Sequence, residues 1–148
     1  MIAPGATVLR TSAQFMLRGL PLLTGRRSFG ERTVRWLFAD LARQDPSRVQ
    51  VSLDRLTLTL QCLRLLRPIG PTVLKDRQLQ SLAMPSLFVV GEHEKIYSAA
   101  KGVARLRRVA PEIRTEILPD AGHDINMAQA DRVSRLVVEF LEGAPETL

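Results

Sequence analysis

The 148 residues include one cysteine, Cys62, so neither an intrachain disulfide framework nor a cysteine-rich zinc site can be built. In its apolar surroundings that thiol reads as core filler. Aromatic residues make up only 5% of the chain. No run approaches the ~20 apolar residues needed to cross a bilayer. Acidic residues are missing before Glu31, whereas Arg10, Arg18, Arg26 and Arg27 fall in that stretch. Such a composition is similar to a transit peptide, but arginines interrupt every apolar core that a secretory signal would require.

What is present is ordinary for one globular domain: 45% hydrophobic and 24% charged residues. The net charge of +6 is unevenly spread. Residues 1–77 hold 13 basic and 5 acidic side chains, and residues 78–148 hold 8 and 10. A basic half can contact nucleic acid or membrane. Here the arginines lie at helical spacing, with no interleaved aromatics and no glycine-rich loop, so solvated helix faces are the expectation. No nucleic-acid or membrane partner is assigned.

The first half reads as helical. Residues 11–23 suggest a short helix capped by Thr11 or Ser12 and ended by Pro21. GRRSFG reads as a polar turn. Over 30–43, Val34, Leu37, Phe38 and Leu41 fall at i, i+3, i+4 and i+7, one buried stripe, with Trp36 turned toward a neighbouring element. Residues 47–66 are ambiguous, because LTLTL alternates like a strand while Leu53, Leu56, Leu60 and Leu63 recur at helical spacing. Length and the lack of an internal breaker favour helix. RPIGP (67–71) is a turn, followed by a short helix with Asp76 as N-cap and Leu79 and Leu82 facing inward.

The pattern changes after Met84-Pro85. SLFVV is a continuous apolar run, as in a strand buried on both faces. Gly91 ends it and EHEK follows. Ser98 can cap a helix over 99–110, with Val103, Leu106 and Val109 inward, and Pro111 stops it. TEIL (115–118) is a second strand. A helix over 128–142, carried by Val133, Leu136, Val137 and Phe140, ends at Gly143, and the last five residues are expected to fray. Strand, loop, helix, strand, loop, helix implies two neighbouring parallel strands covered by helices.

Polar groups collect at both strand ends: Gly91-Glu92-His93-Glu94, and Asp120-Ala121-Gly122-His123-Asp124. In parallel sheets the carboxyl ends of strands are where sites form. A carboxylate from the first loop could accept the Nδ1–H of His123, fixing its tautomer and stabilising its cation. Metal binding by Glu92, His93, Glu94 and His123 is a weaker alternative, since the spacing is loose. Ser98 reads as a cap rather than a nucleophile, Asp124 as a support for the loop or the last helix, and Met84, Met127 and Trp36 as packing residues.

MPSLFVVGEHEKIYSAAKGVARL and TEILPDAGHDINMAQADRVSRLVVEFLEG together resemble the C-terminal end of an α/β-hydrolase, over residues 84–142. The features arrive in the family's order: proline, apolar strand, glycine, an acid three residues on, helix, strand, Gly-His, and a final helix ending in Phe140-Leu141. The resemblance implies that His123 is the general base and Glu94 its orienting acid, with Glu92 as fallback. It implies an α/β fold in which residues 1–9 are the end of a core strand and its exit loop, 10–82 a helical cap, and 83–148 the C-terminal βαβα part of the core. A cap at 10–82 accounts for the acid-free N-terminus without a transit peptide.

The family's nucleophile sits in a G-x-S-x-G elbow, and no such pattern occurs in this chain. In GRRSFG, Ser28 falls one position too late and follows no strand. The implied activity is hydrolysis of an ester or related acyl bond of a small-molecule substrate by the complete protein, without a cofactor or metal, and none by this chain alone. A fragment of this kind leaves a sheet edge open, which allows self-association, and a non-catalytic assembly module is the competing reading. Cytoplasmic localisation is the expectation.

Overall fold

The computed structural model describes residues 1–21, 27–62 and 72–143; within these, no side chain is described at 56, 57 or 60–62. The role expected of Cys62, the RPIGP turn, Leu56, Leu60 and Leu63, and the terminal fraying at 144–148 lie outside what is described.

The chain from 86 onward follows the expected order. The apolar run forms β1 (Ser86–Gly91) and pairs in parallel with β2 (Ile113–Leu118), Ser86 opposite Ile113 and Gly91 opposite Leu118. The second strand starts two residues before TEIL, because Ile113 is buried and supplies its first inward side chain. Along β1 alternate residues go to opposite faces. Phe88 and Val90 pack with Val103, Leu106 and Val109 of α6 (Ala99–Val109), while Leu87 and Val89 pack with Val133 of α8 (Ala130–Glu142). This two-sided burial is why the run lacks polar alternation. Ser98 caps α6, its hydroxyl accepting the N–H of Lys101.

Met1–Ala3 lies along the other side of β1. Ile2 bridges Val89 in parallel, Ala3 N donates to Val89 O at 2.8 Å, and Val89 N donates to Met1 O at 2.9 Å. The outer edge of β2 instead carries Arg114 and Glu116, paired at 3.1 Å, a charged edge that discourages further strand addition.

The preceding half is helical: α1 (Ala13–Gly19), α2 (Arg27–Leu37), α3 (Ala39–Gln44), α4 (Pro46–Cys62) and α5 (Asp76–Gln80). Ser12 caps α1, accepting the N–H of Phe15. Helix α2 starts inside the expected GRRSFG turn. The single helix expected over 30–43 is broken at Phe38, whose φ of −99° and ψ of 50° are not helical. The ambiguous LTLTL segment is helical. Asp45 both ends α3 and caps α4, accepting from Ser47 N and Arg48 N beside Pro46 at the first helical position. Val34, Leu41, Val49 and Leu53 form the core of this half.

Two expectations over residues 75–84 fail. Leu82 and Met84 are exposed, at 41% and 77%, while Leu79 alone anchors α5. The N-cap of α5 is Lys75, with Asp76 inside the helix; Asp76 instead receives Arg105, which also donates to Leu74 O and Val8 O and so ties the connecting segments to α6. The helix expected over 128–142 is α8, and a separate short turn, α7 (Ile125–Ala128), precedes it. No helix among the described residues is long and apolar enough to cross a membrane.

Candidate active site

Gly91, at the carboxyl end of β1, lets the two polar loops touch. A Cβ placed on it would fall 2.3 Å from the carbonyl oxygens of both Ala121 and Gly122, so only glycine fits there. The next three residues are held from the backbone. Glu92 N donates to Leu118 O, His93 N to Ala121 O and Glu94 N to Gly91 O, at 2.9, 2.8 and 3.1 Å. The histidine loop turns at Asp120, whose φ of 54° is left-handed, a conformation aspartate tolerates better than most residues.

These loops bring His123 and Glu94 together. His123 Nδ1 lies 2.8 Å from Glu94 Oε2. The Glu94 side chain is fully buried, and its Oε1 accepts the backbone N–H groups of Lys95 and Ile96 at 2.8 and 2.9 Å. Two backbone donors on one oxygen leave the other free for the imidazole. An ionised carboxylate only accepts, so the shared hydrogen sits on Nδ1 and the Nε2 lone pair is left available. The imidazole side chain keeps 18% exposure, and the ring of Phe38 meets it edge-on, with centroids 6.2 Å apart.

The fallback acid goes elsewhere: Glu92 is exposed and its Oε2 accepts Asp120 N at 3.2 Å. His93 is exposed and not part of the pair. The four residues weighed as metal ligands are divided, because Glu94 and His123 bond each other. Glu92 and His93 lie instead with Asp120, their ligand atoms within 4.8 Å of one another and all exposed. Exposed polar groups in that arrangement are commonplace and show no built site.

Of the two acids that hold the site against the helical half, one escaped the sequence reading. Asp40, on α3, is buried, and its Oδ2 accepts Gly122 N at 2.6 Å while its Oδ1 pairs with Arg43. Nothing local distinguishes it from a surface i, i+3 ion pair. Asp124 was expected to support the loop, and it does more: fully buried, it accepts the N–H of Leu41 in the first turn of α3 at 2.6 Å. Its other oxygen has no partner among the described residues, and burial raises its pKa. Lys95 donates from Nζ to Trp36 O at 2.6 Å, near the carboxyl end of α2, where helix carbonyls favour a cation; burial lowers its pKa. Trp36 also stacks near Phe15 and beneath Arg18, which confirms its turn toward α1. Tyr97 is buried with its hydroxyl unpartnered among the described residues, and burial raises its pKa further above its ordinary value.

No protein-family model matches the chain. Two curated relatives do: carboxylesterase YbfK and the uncharacterized carboxylesterase nap, both of Bacillus subtilis strain 168, each 36% identical over 73 residues. That stretch is 49% of this chain but about a quarter of theirs, 25% and 24%. Among solved structures, the naproxen esterase (carboxylesterase NP) of Bacillus subtilis is similar with a TM-score of 0.79 at 27% identity, over 95% of this chain and 49% of that one. Carboxylesterase CesB (YbfK) of the same organism gives 0.77 at 24%, over 97% and 50%. The chain spans about half of these structures. By sequence over 49% of its length and by fold over 95–97% of it, the chain is similar to carboxylesterases of the α/β-hydrolase fold.

Proposed function

We propose that this chain supplies the base and the acid of a serine-hydrolase-type site that cleaves an ester or related acyl bond. The observation that carries the reading is the 2.8 Å contact between His123 Nδ1 and a fully buried Glu94. In this reading His123 Nε2 takes the proton of a hydroxyl nucleophile as it attacks the acyl carbon, then returns it to the leaving oxygen. Glu94 orients the imidazole and stabilises its cation. The helices of 10–82 cover the acyl pocket, and a small-molecule ester is the substrate class. The carboxylesterase relatives support the chemistry. A cytoplasmic location goes with this reading.

The nucleophile comes from a segment outside this sequence, as does the oxyanion hole. The chain alone is therefore expected to be catalytically silent, because base and acid without donors for the tetrahedral intermediate lack the largest stabilising contribution. Incubation of the folded chain with a fluorophosphonate probe tests this. No covalent adduct is expected, and stoichiometric labelling would overturn the assignment of the nucleophile.

A second reading, self-association, is favoured by one observation. Beside Met1–Ala3, at the edge of β1, lies a groove lined by Met1, Ile2, Leu87, Val137, Phe140 and Leu141, with Leu141 63% exposed. Light scattering after size exclusion distinguishes the cases: mass that rises with concentration supports assembly through this edge, and a monomer at every concentration removes it.

A further inference from the structure

The three residues Gly122, His123 and Asp124 are bonded to α3 from both sides of the histidine. Gly122 N donates to Asp40 Oδ2, and Leu41 N donates to Asp124 Oδ2, each at 2.6 Å. The two bonds run in opposite directions between adjacent residues of one segment and a tripeptide of the other, more than 80 positions apart in sequence. Both carboxylates are buried, Asp40 at 8% and Asp124 at 0% exposure. Helix α3 has no side-chain cap of its own, so Asp124 satisfies a first-turn N–H that would otherwise be orphaned. Phe38, immediately before α3, closes over the imidazole. The first loop also holds this segment, through His93 N to Ala121 O and Glu92 Oε2 to Asp120 N, but the two bonds that flank His123 on either side come from the helical half.

We propose that Asp40 and Asp124 are positioning residues for the histidine: a reciprocal clasp that sets the loop so that His123 Nδ1 meets Glu94 only when α3 is docked. The clasp gives the helical half a role besides shaping a pocket, since it couples docking of α3 to assembly of the base. The inference rests on the assignment of His123 as base. Neither carboxylate touches substrate or the reacting atoms. The groups facing the clasp are Arg43 on α3, Lys95 and Glu94 on the first loop, and His123 itself.

The test uses the chain as it stands, with ¹⁵N-edited proton spectra that resolve the His123 Nδ1–H bonded to Glu94. The wild type is expected to show this proton as a protected low-field resonance that Glu94→Gln abolishes. Asp40→Ala is expected to lose it while far-UV circular dichroism is retained. Asp40→Asn, which keeps an acceptor for Gly122 N, is expected to keep it. If Asp40→Ala does not fold, Asp40→Glu replaces it: the charge stays but the acceptor moves by one methylene, and the resonance is expected to broaden or disappear. A purely stabilising role would lower the unfolding midpoint and leave the resonance of the folded molecule unchanged. That result in Asp40→Ala or Asp40→Glu overturns the clasp alone. A wild type without the Glu94-dependent resonance overturns the base assignment, and the clasp with it.

Discussion

Asp124 shows how a neighbour of the catalytic candidate can carry a measurable cost. Its carboxyl is buried, one oxygen accepts Leu41 N, and the other is unpartnered among the described residues. Burial raises its pKa above the ordinary 3.8, with Asp40 adding to the shift and the Leu41 bond opposing it. The folded chain therefore binds more proton than the unfolded chain in the window from 3.8 up to the raised value. Stability contributed by this residue falls as pH rises through that window and is lowest above it. Asp124→Asn keeps an acceptor and removes the titration. Its stability relative to wild type is expected to increase from about pH 4 to about pH 7, read from urea midpoints; a difference that does not change with pH contradicts the buried-charge account. At this scale the sequence was legible where function depends on local order. His123 and Glu94 stand out because each follows a strand and a glycine. Asp40 does not, because its partner is 82 positions away and its local neighbour Arg43 makes it look like a surface ion pair.

Between elements, the site depends on one close approach. Gly91 ends β1 where the backbone of Ala121 and Gly122 crosses it, and any Cβ there lies 2.3 Å from two carbonyl oxygens. Those oxygens belong to backbone that cannot swing aside, unlike the end of a flexible side chain. Gly91→Ala is expected to cost about 1–3 kcal/mol from overpacking, measured by urea unfolding. It is also expected to move the histidine loop off Glu94. An unchanged midpoint would show that the loops are less tightly apposed than described. The strands and α6 were readable because a continuous apolar run and a 3.6-residue stripe are dictated by burial. The break at Phe38 was not, since its apolar stripe continues through the break from Val34 to Leu41; what interrupts the helix is tertiary, with Phe38 turned to His123 and the next turn bonded to Asp124. Leu82 was misplaced for a related reason: a helical stripe says which residues share a face and not whether anything lies opposite it, and Met84, read as a packing residue from its apolar character alone, is exposed too.

For the whole molecule, the sheet is covered on both faces and incompletely flanked. α6 covers one face and α8 the other, β2 ends in a charged edge, and among the described residues β1 has only Met1–Ala3 beyond it. Among the described residues of 1–77, some arginines have local partners: Arg27 pairs with Asp54, Arg35 with Glu31, and Arg18 lies over Trp36. The α/β-hydrolase kinship was legible from ordered motifs at two strand ends, and the extent of the match to solved esterases gives the proportion that this chain represents, about half. The role proposed for His123 is that of a base, oriented by Glu94, for a nucleophile carried outside this sequence. Its most direct test is ester hydrolysis by a protein in which this chain is joined to a nucleophile-bearing N-terminal half, comparing His123→Ala with the unaltered histidine. A short p-nitrophenyl ester is expected to be hydrolysed, and His123→Ala is expected to lower kcat on the order of 10⁴–10⁶-fold with the fold intact. Equal hydrolysis by both proteins would contradict it.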